Sequence, residues 1–139
     1  MENSNVVKML ETSPYWNLLG MKVNRLEKGV AEIRLPNKPE LKQVFAVMHG
    51  GAIASLLDAA GAISFFKEID PARESVSTVE LKINYLNPVT TEQDEIIATG
   101  KVVKKGKTFG VTTIEVRTKS GDPIAIGIGT YVILPRAGI

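Results

Sequence analysis

The sequence predicts an α+β domain in which an antiparallel β-sheet wraps around one long central α-helix. Residues 50–67 form a helical pattern that is apolar on almost every side, which is typical of a helix buried on several faces. Segments that alternate between apolar and polar residues precede and follow this helix, as half-buried strands do. A length of 139 residues suits one core, so we assign residues 1–139 to a single domain.

The amino-terminal part predicts one short helix and two strands. Residues 5–19 are interpreted as helical, because Ser13-Pro14 offers an N-cap followed by a proline in the first turn. Gly20 can end that helix. Residues 21–35 alternate around Lys28-Gly29, which predicts a strand on each side of a turn.

Prolines at positions 36 and 39 predict a loop that continues to His49, where the central helix begins. The remainder is interpreted as strands that form an antiparallel meander. Their ranges are 78–86, 95–104, 108–118 and 124–134. Residues 105–107 predict a hairpin turn in which Gly106 is available for a positive φ.

Composition and charge exclude several classes of protein. Lys and Arg total 17 and Asp and Glu total 15, so the chain lacks the single-sign field of a nucleic-acid binder. The absence of cysteine excludes disulfides and thiolate chemistry. No secretory signal and no apolar segment of membrane-spanning length is visible. We therefore expect a cytoplasmic protein without a membrane or nucleic-acid partner.

The central helix has two unlike faces when its residues are placed at 100° intervals. One face is expected to pack on the sheet and contains Ile53, Leu56, Ala60 and Ile63. The opposite face surrounds Asp58 with Gly51, Ala54, Ser55, Gly61 and Ala62, and Phe65 lies at its far end. A chain of this size needs a partner to cover a second apolar face, so the pattern predicts a homodimer.

The start of this helix combines groups that suit acyl transfer. His49 precedes Gly50 and Gly51, and the first turn of a helix presents unpaired amides and a positive dipole end. Glycines let a carbonyl approach those amides, which is the geometry of an oxyanion hole. Asp58 could then act as a general base on water or as a nucleophile. A purely structural alternative stays open, in which a hydroxyl satisfies Asp58 and His49 serves only the loop.

The distance between Gly50 and Asp58 determines how they could cooperate. Eight residues at 1.5 Å each separate them by about 12 Å along the helix, which is too far for both to act on one carbonyl carbon. They meet only if a second copy of the helix runs antiparallel across a two-fold axis. The chemistry therefore also predicts a dimer.

These residues resemble a known family. His49-Gly50-Gly51 with Asp58 nine positions after the histidine is similar to the motif of hotdog-fold acyl-CoA thioesterases, specifically the PaaI-like group of phenylacetate degradation. The resemblance covers nearly the whole chain. It implies the hotdog fold, hydrolysis of an acyl-CoA thioester to free acid and thiol, a homodimer and a tetramer built from two dimers. It implies no cofactor, and a single histidine without cysteine makes a transition-metal site unexpected.

The resemblance also implies roles for individual residues. Asp58 takes the place of the acidic catalyst, the turn at Gly50 and Gly51 that of the carbonyl-polarising amide, and His49 that of the residue orienting the thioester. Gln43 matches the residue that positions water or thioester, and Thr78 the hydroxyl near the carboxylate. Ala46 stands where the family usually has glycine, which is a departure from the pattern.

A lysine-rich turn is the predicted site for the CoA arm. By resemblance, Lys104, Lys105, Gly106 and Lys107 contact the nucleotide, and lysines suit phosphates as point charges. From charge alone, a solvated hairpin tip is the alternative. Two rival functions for the chain also stay open, namely a hotdog dehydratase or hydratase and a non-catalytic acyl-CoA-binding or scaffold protein.

Overall fold

A computed structural model describes residues 3–90 and 95–136. Residues 1–2, 91–94 and 137–139, which the predicted domain includes, lie outside the described residues. The helices are α1 (Asn3–Glu11), α2 (Pro14–Leu19) and α3 (Gly50–Ile63), with one turn of 3-10 helix at Pro39–Leu41. The strands are β1 (Lys22–Glu27), β2 (Val30–Pro36), β3 (Glu74–Tyr85), β4 (Glu95–Lys105), β5 (Phe109–Thr118) and β6 (Pro123–Pro135).

The strands form one antiparallel sheet in the order β1-β2-β4-β5-β6-β3, and α3 packs against β2 to β6. Inward residues of the alternating strands and one face of α3 make the core. The predicted inward face of the helix (Ile53, Leu56, Ala60 and Ile63) is buried. The predicted fold class, an antiparallel sheet wrapped around a long central helix, is confirmed.

The predicted meander is only partly correct. Strands β4, β5 and β6 are consecutive neighbours, but β3 pairs with β6 at the sheet edge and β4 pairs with β2. A Cβ on Gly100 of β4 would lie 2.3 Å from the carbonyl oxygen of Ala60. The strand order places β4 in the middle of the sheet, where a glycine lets it approach α3 closely, and β3 at the edge.

The central helix is shorter than the predicted range of 50–67. After Ile63 the amides of Phe65 and Phe66 donate to carbonyls three residues back, which tightens the chain into a turn. The hydroxyl of Ser64 also donates to the carbonyl oxygen of Gly61 at 2.7 Å. As a result Phe65 leaves the helix and is buried beside Tyr131.

The turns follow the sequence prediction with two differences. Gly20 ends α2 in the left-handed conformation with φ 88°, as predicted. Ser13 occupies the N-cap position, but its hydroxyl donates to the carbonyl oxygen of Leu10 instead of capping α2. Gly106 does not have a left-handed φ. Position 106 needs a glycine for a different reason, because a Cβ there would lie 2.9 Å from the carbonyl oxygen of Phe109.

Within the described ranges, no helix combines the length and the apolar character that crossing a bilayer requires.

Candidate active site

The loop before α3 is held by main-chain hydrogen bonds that fix where the helix begins. The amide of Met48 donates to the carbonyl oxygen of Val89 at 2.9 Å, and the amide of His49 donates to that of Leu41 at 2.6 Å. His49 has extended backbone angles and is the N-cap of α3. Its Nδ1 atom accepts the amide hydrogen of Gly51 at 2.8 Å, and a ring nitrogen that accepts carries no proton.

The first peptide of α3 is held at both ends. The Gly51 amide is bonded to His49, and the Gly50 carbonyl oxygen accepts from the Tyr85 hydroxyl at 3.0 Å. The Gly50 amide has no acceptor within residues 3–90 and 95–136. Of the two amides that the sequence predicted as carbonyl donors, only that of Gly50 is therefore unengaged in this structure.

An open cleft of about 300 Å³ adjoins Gly50. Its lining residues are Met48, Gly50, Ile53, Tyr85, Leu86, Asn87 and Pro88. Of the apolar residues in the loop before α3, Met48 lines this cleft. Val44 and Phe45 are 91% and 82% exposed, so they face solvent in the single chain. The cleft thus places an apolar wall beside an unengaged helix amide.

The Asp58 carboxylate lies further along α3 and is held by two hydroxyls. The Thr78 hydroxyl donates to Oδ1 at 2.8 Å, so the structure brings together the carboxylate and the hydroxyl that the family resemblance implied. The Tyr131 hydroxyl lies 3.2 Å from both Oδ1 and the main-chain carbonyl oxygen of Asp58. Oδ2 has no hydrogen-bond partner in the described part of the chain.

Tyr131 was missed by the sequence analysis because it is an ordinary inward residue in an alternating strand. Its side chain is buried. A Cβ on Gly61 would lie 2.1 Å from the phenolic oxygen, and one on Gly129 would lie 2.6 Å from the ring. Glycines inside a helix and a strand are costly, and they were the available signal that a large side chain passes between these elements.

The environment of Tyr131 keeps its phenol protonated. Burial raises the pKa of Tyr131 well above its ordinary value, and the negative charge of Asp58 raises this pKa further. The phenol is therefore a hydrogen-bond donor to Asp58 throughout the neutral pH range. No lysine or arginine within the described residues forms an ion pair with Asp58, so hydroxyl groups provide the hydrogen bonds to Oδ1 of this carboxylate.

Gln43 is used within its own loop. Its side-chain oxygen accepts from the amide of Phe45, and its carbonyl oxygen accepts from the amide of Ala46 at 3.0 Å. Ala46 has φ 64°, a left-handed conformation that costs a residue with a Cβ about 1–2 kcal/mol. This backbone angle is the physical reason why glycine suits position 46 better. The structure does not bring the Gln43 side chain into hydrogen-bond contact with Asp58 or Gly50.

The lysine-rich hairpin forms a separate open cleft of about 370 Å³. The lining residues are Lys104, Gly106, Lys107, Thr108, Phe109, Gly110 and Val111. Phe109, which the sequence analysis did not select, is 54% exposed beside the lysines. Gly110 stands opposite Tyr131 in the register of β5 and β6, so the hairpin lies at the end of the sheet nearer to Asp58.

Strand β3 is a long edge without a partner on its outer side. It has 12 residues, none of them buried, and among residues 3–90 and 95–136 it pairs only with β6. Val79, Tyr85 and Leu86 are exposed apolar or aromatic residues on or beside it. The face of α3 around Asp58 is also incompletely covered, since Ala54, Ser55 and Ala62 are half-buried. Gly61 on that face is an exception, because the phenol of Tyr131 from the same chain covers it.

Among the residues that the structure describes, no group of three or more His, Cys, Asp or Glu side chains is arranged to hold a metal ion.

Comparisons with known proteins identify similar chains. The family model described as Thioesterase superfamily matches residues 45–125. The putative esterase SSO2140 of Saccharolobus solfataricus is 37% identical over 119 residues, which are 86% of this chain and 82% of that protein. The medium/long-chain acyl-CoA thioesterase YigI of Escherichia coli is 30% identical over 134 residues, with 86% of this chain and 85% of that protein covered.

A solved structure with the same fold is the E. coli PaaI protein from the phenylacetic acid degradation operon. It superposes with a TM-score of 0.82 at 23% identity and covers 97% of this chain and 92% of its own. At this identity the likeness establishes the fold alone. The predicted resemblance to hotdog-fold, PaaI-like thioesterases is confirmed by the family match and this superposition together.

Proposed function

The chain belongs to the thioesterase superfamily, and we propose that it hydrolyses acyl-CoA thioesters to the free acid and CoA in a site shared by two protomers. The observation that carries this proposal is the separation of two prepared groups on one helix. The Gly50 amide has no acceptor in the described chain, and Asp58 presents an unbonded Oδ2 about 12 Å further along α3. Each protomer therefore holds both halves of a site but cannot use them on one carbonyl.

A two-fold dimer brings the halves together. The unpartnered β3 edge supports pairing with a second copy, since an exposed edge strand offers a row of free main-chain groups. Antiparallel pairing about a two-fold axis would also run the two α3 helices in opposite directions. The Gly50 amide of one protomer would then polarise a thioester carbonyl that Asp58 of the other attacks or hydrates. A tetramer built from two such dimers stays a prediction from the family resemblance.

The chemistry at this site follows from the groups that face it. In the first route Oδ2 of Asp58 attacks the carbonyl carbon, the C–S bond breaks, and water then hydrolyses the resulting anhydride. In the second route Asp58 takes a proton from water as the water attacks. In both, negative charge develops on the carbonyl oxygen, where the Gly50 amide and the positive end of the α3 dipole stabilise it. In both routes the C–S bond breaks, and the departing thiolate takes up a proton, from solvent in the first route and from Asp58 in the second.

The substrate would lie between the two clefts. The apolar walls beside Gly50 suit an acyl group. The hairpin of Lys104, Lys105, Gly106 and Lys107 suits the phosphates of CoA, and the exposed ring of Phe109 suits an adenine face. Named activities of relatives support this substrate class, because YigI is described as a medium/long-chain acyl-CoA thioesterase. The cytoplasmic location stays a prediction from sequence.

The direct test follows the release of free thiol from a panel of acyl-CoAs with the purified protein. We expect turnover by the wild type and a loss of at least about 100-fold in kcat for Asp58→Asn. Saturable binding of acyl-CoA without thiol release would instead support a non-catalytic binding protein. Wild-type rates in Asp58→Asn and Asp58→Ala would refute the role of the carboxylate.

A second experiment distinguishes CoA from a shorter thioester carrier. Replacing Lys104, Lys105 and Lys107 together by alanine removes the phosphate contacts of the hairpin. The KM of the triple variant for an acyl-CoA should be about ten-fold higher or more. Lowering the salt concentration should decrease KM in both proteins, and the decrease should be smaller in the variant than in the wild type. The KM for the matching acyl-pantetheine, which lacks the nucleotide, should not change. An equal rise for both substrates would place the nucleotide elsewhere.

A further inference from the structure

We infer that Tyr131 is a positioning residue for the carboxylate, which together with Thr78 fixes Oδ1 of Asp58 and leaves Oδ2 as the oxygen that reacts. This inference rests on the proposed function of Asp58. It adds a residue that no motif of the sequence identifies, and it specifies which carboxylate oxygen faces the substrate.

The two hydroxyls reach Asp58 because their strands are in a defined register. Thr78 of β3 and Tyr131 of β6 are directly opposite each other. The register shifts between Thr78 and Glu80, and such a bulge next to a site redirects side chains. One short and one long hydroxyl side chain thus converge on the same oxygen, at 2.8 Å and 3.2 Å.

Core packing alone does not explain the phenolic oxygen. A phenylalanine would fill the same space against Phe65, whose ring centroid lies 5.8 Å away. Gly61 leaves room for the ring and for the oxygen, since a Cβ there would lie 2.8 Å from the ring carbon that bears the oxygen and 2.1 Å from the oxygen itself. If Tyr131 did not need this room, alanine at position 61 would make the helix about 1 kcal/mol more stable than glycine does. The fold therefore accommodates the hydroxyl that meets Asp58.

Fixing one oxygen has a direct chemical consequence. A carboxylate without partners rotates and presents either oxygen, whereas two donors on Oδ1 hold its plane and direct the other oxygen outward. Holding a reactive atom in its attacking geometry accelerates the step without changing how tightly the substrate binds. The consequence is the same whether Oδ2 attacks the carbonyl or takes a proton from water.

The test compares Tyr131→Phe, Thr78→Val and the double variant in the thiol-release assay. Each single change should lower kcat about ten-fold, the value of one hydrogen bond to a charged group, and leave KM unchanged. The double variant should lose more than the product of the two single effects, because only then is the carboxylate free to rotate. Tyr15→Phe is the matched control and should keep the wild-type rate. It removes a phenol bonded to Ser55 on the same helix at 2.6 Å but not to the carboxylate.

The outcomes separate this inference from the proposed function. No thiol release by the wild type overturns both. An active wild type with Tyr131→Phe and Thr78→Val at the rate of Tyr15→Phe overturns only the positioning role. A rise in KM without a fall in kcat, or a double variant equal to the product of the singles, also contradicts it. If Tyr131→Phe does not fold, Thr78→Val on the exposed edge strand still tests whether Oδ1 must be held.

Discussion

The Nδ1 atom of His49 accepts the amide hydrogen of Gly51 at 2.8 Å, so the only histidine of the chain caps the central helix. The contact engages one first-turn amide and leaves that of Gly50 without an acceptor in the described chain. The family resemblance assigns His49 to orienting the substrate, and the geometry of the structure shows that His49 also caps α3.

Removing this cap should destabilise the fold. His49→Ala is expected to lower the free energy of unfolding by about 1 kcal/mol, the usual cost of a lost N-cap acceptor. His49→Asn keeps a side-chain oxygen in a favoured capping position and should recover most of that loss. Urea denaturation of the three proteins measures the difference. Equal stability of the alanine and asparagine variants would contradict the capping role.

The sequence predicted the central helix and the sheet because each follows from local patterning, and the family resemblance implied the Asp58–Thr78 contact. The position of β3 at the edge was not predictable in this way. It depends on which strands pair with each other across the sheet, and those pairings join distant parts of the chain. Tyr131 was missed for the same reason, since its meaning comes from Asp58 and Gly61 rather than from its neighbours in sequence.

The Gly50 amide can be removed without disturbing the helix. Gly50 is the first residue of α3, where proline is well tolerated, and His49 before it has φ −63° and ψ 135°, angles that a following proline requires. Gly50→Pro should therefore fold and lower kcat about 100- to 1,000-fold, the usual effect of losing one oxyanion donor. Gly50→Ala retains the amide, and a Cβ there meets Tyr85 only at an ordinary 3.5 Å. This control should lose much less activity.

Mixing two inactive variants tests whether the site is shared. In a heterodimer of Asp58→Ala with Gly50→Pro, one site contains both wild-type groups and the other contains neither. Random exchange of subunits should therefore restore about one quarter of the wild-type activity. Refolding the two proteins together and measuring thiol release gives the answer. No recovery in a mixture that forms heterodimers would mean that each site lies within one protomer.

The edge strand should determine the oligomeric state. Val79 lies at a bulge of β3 and is 56% exposed. Val79→Lys places a charge on the edge, which opposes pairing with another strand, so this variant should be monomeric and inactive. Val103→Lys is the matched control for oligomeric state, because that valine lies at a bulge of β4 and is 63% exposed. Light scattering coupled to size exclusion should detect a dimer in the control and in the wild type.

Gly61 should tolerate no side chain despite its place in a helix. Gly61→Ala would ordinarily stabilise a helix by up to about 1 kcal/mol, but here the new Cβ overlaps the phenol of Tyr131. We expect a net loss of about 1–3 kcal/mol from overpacking, together with a fall in kcat as the phenol leaves Asp58. Thermal and urea unfolding measure the first effect. A more stable Gly61→Ala variant would show that the phenol moves freely.

The raised pKa of Tyr131 predicts how stability changes in alkali. Burial is its main cause and the charge of Asp58 is the second, so the phenol keeps its proton in the folded protein above the ordinary tyrosine pKa of 10.0. Above about pH 10 the unfolded chain loses this proton first. The folded state then binds more protons than the unfolded state, and the free energy of unfolding decreases as pH rises.

The size of this effect follows from proton linkage. One proton contributes about 1.4 kcal/mol per pH unit, and the contribution is fully present below about pH 10. Tyr131→Phe lacks this proton. The difference in the free energy of unfolding between the wild type and the variant should therefore be constant below about pH 9, and above about pH 10 it should change in favour of the variant. Urea denaturation at a series of pH values measures this gap. A gap that stays constant into strong alkali would mean that Tyr131 ionises equally in the folded and unfolded chains, and that its hydroxyl is not held in a buried contact with Asp58.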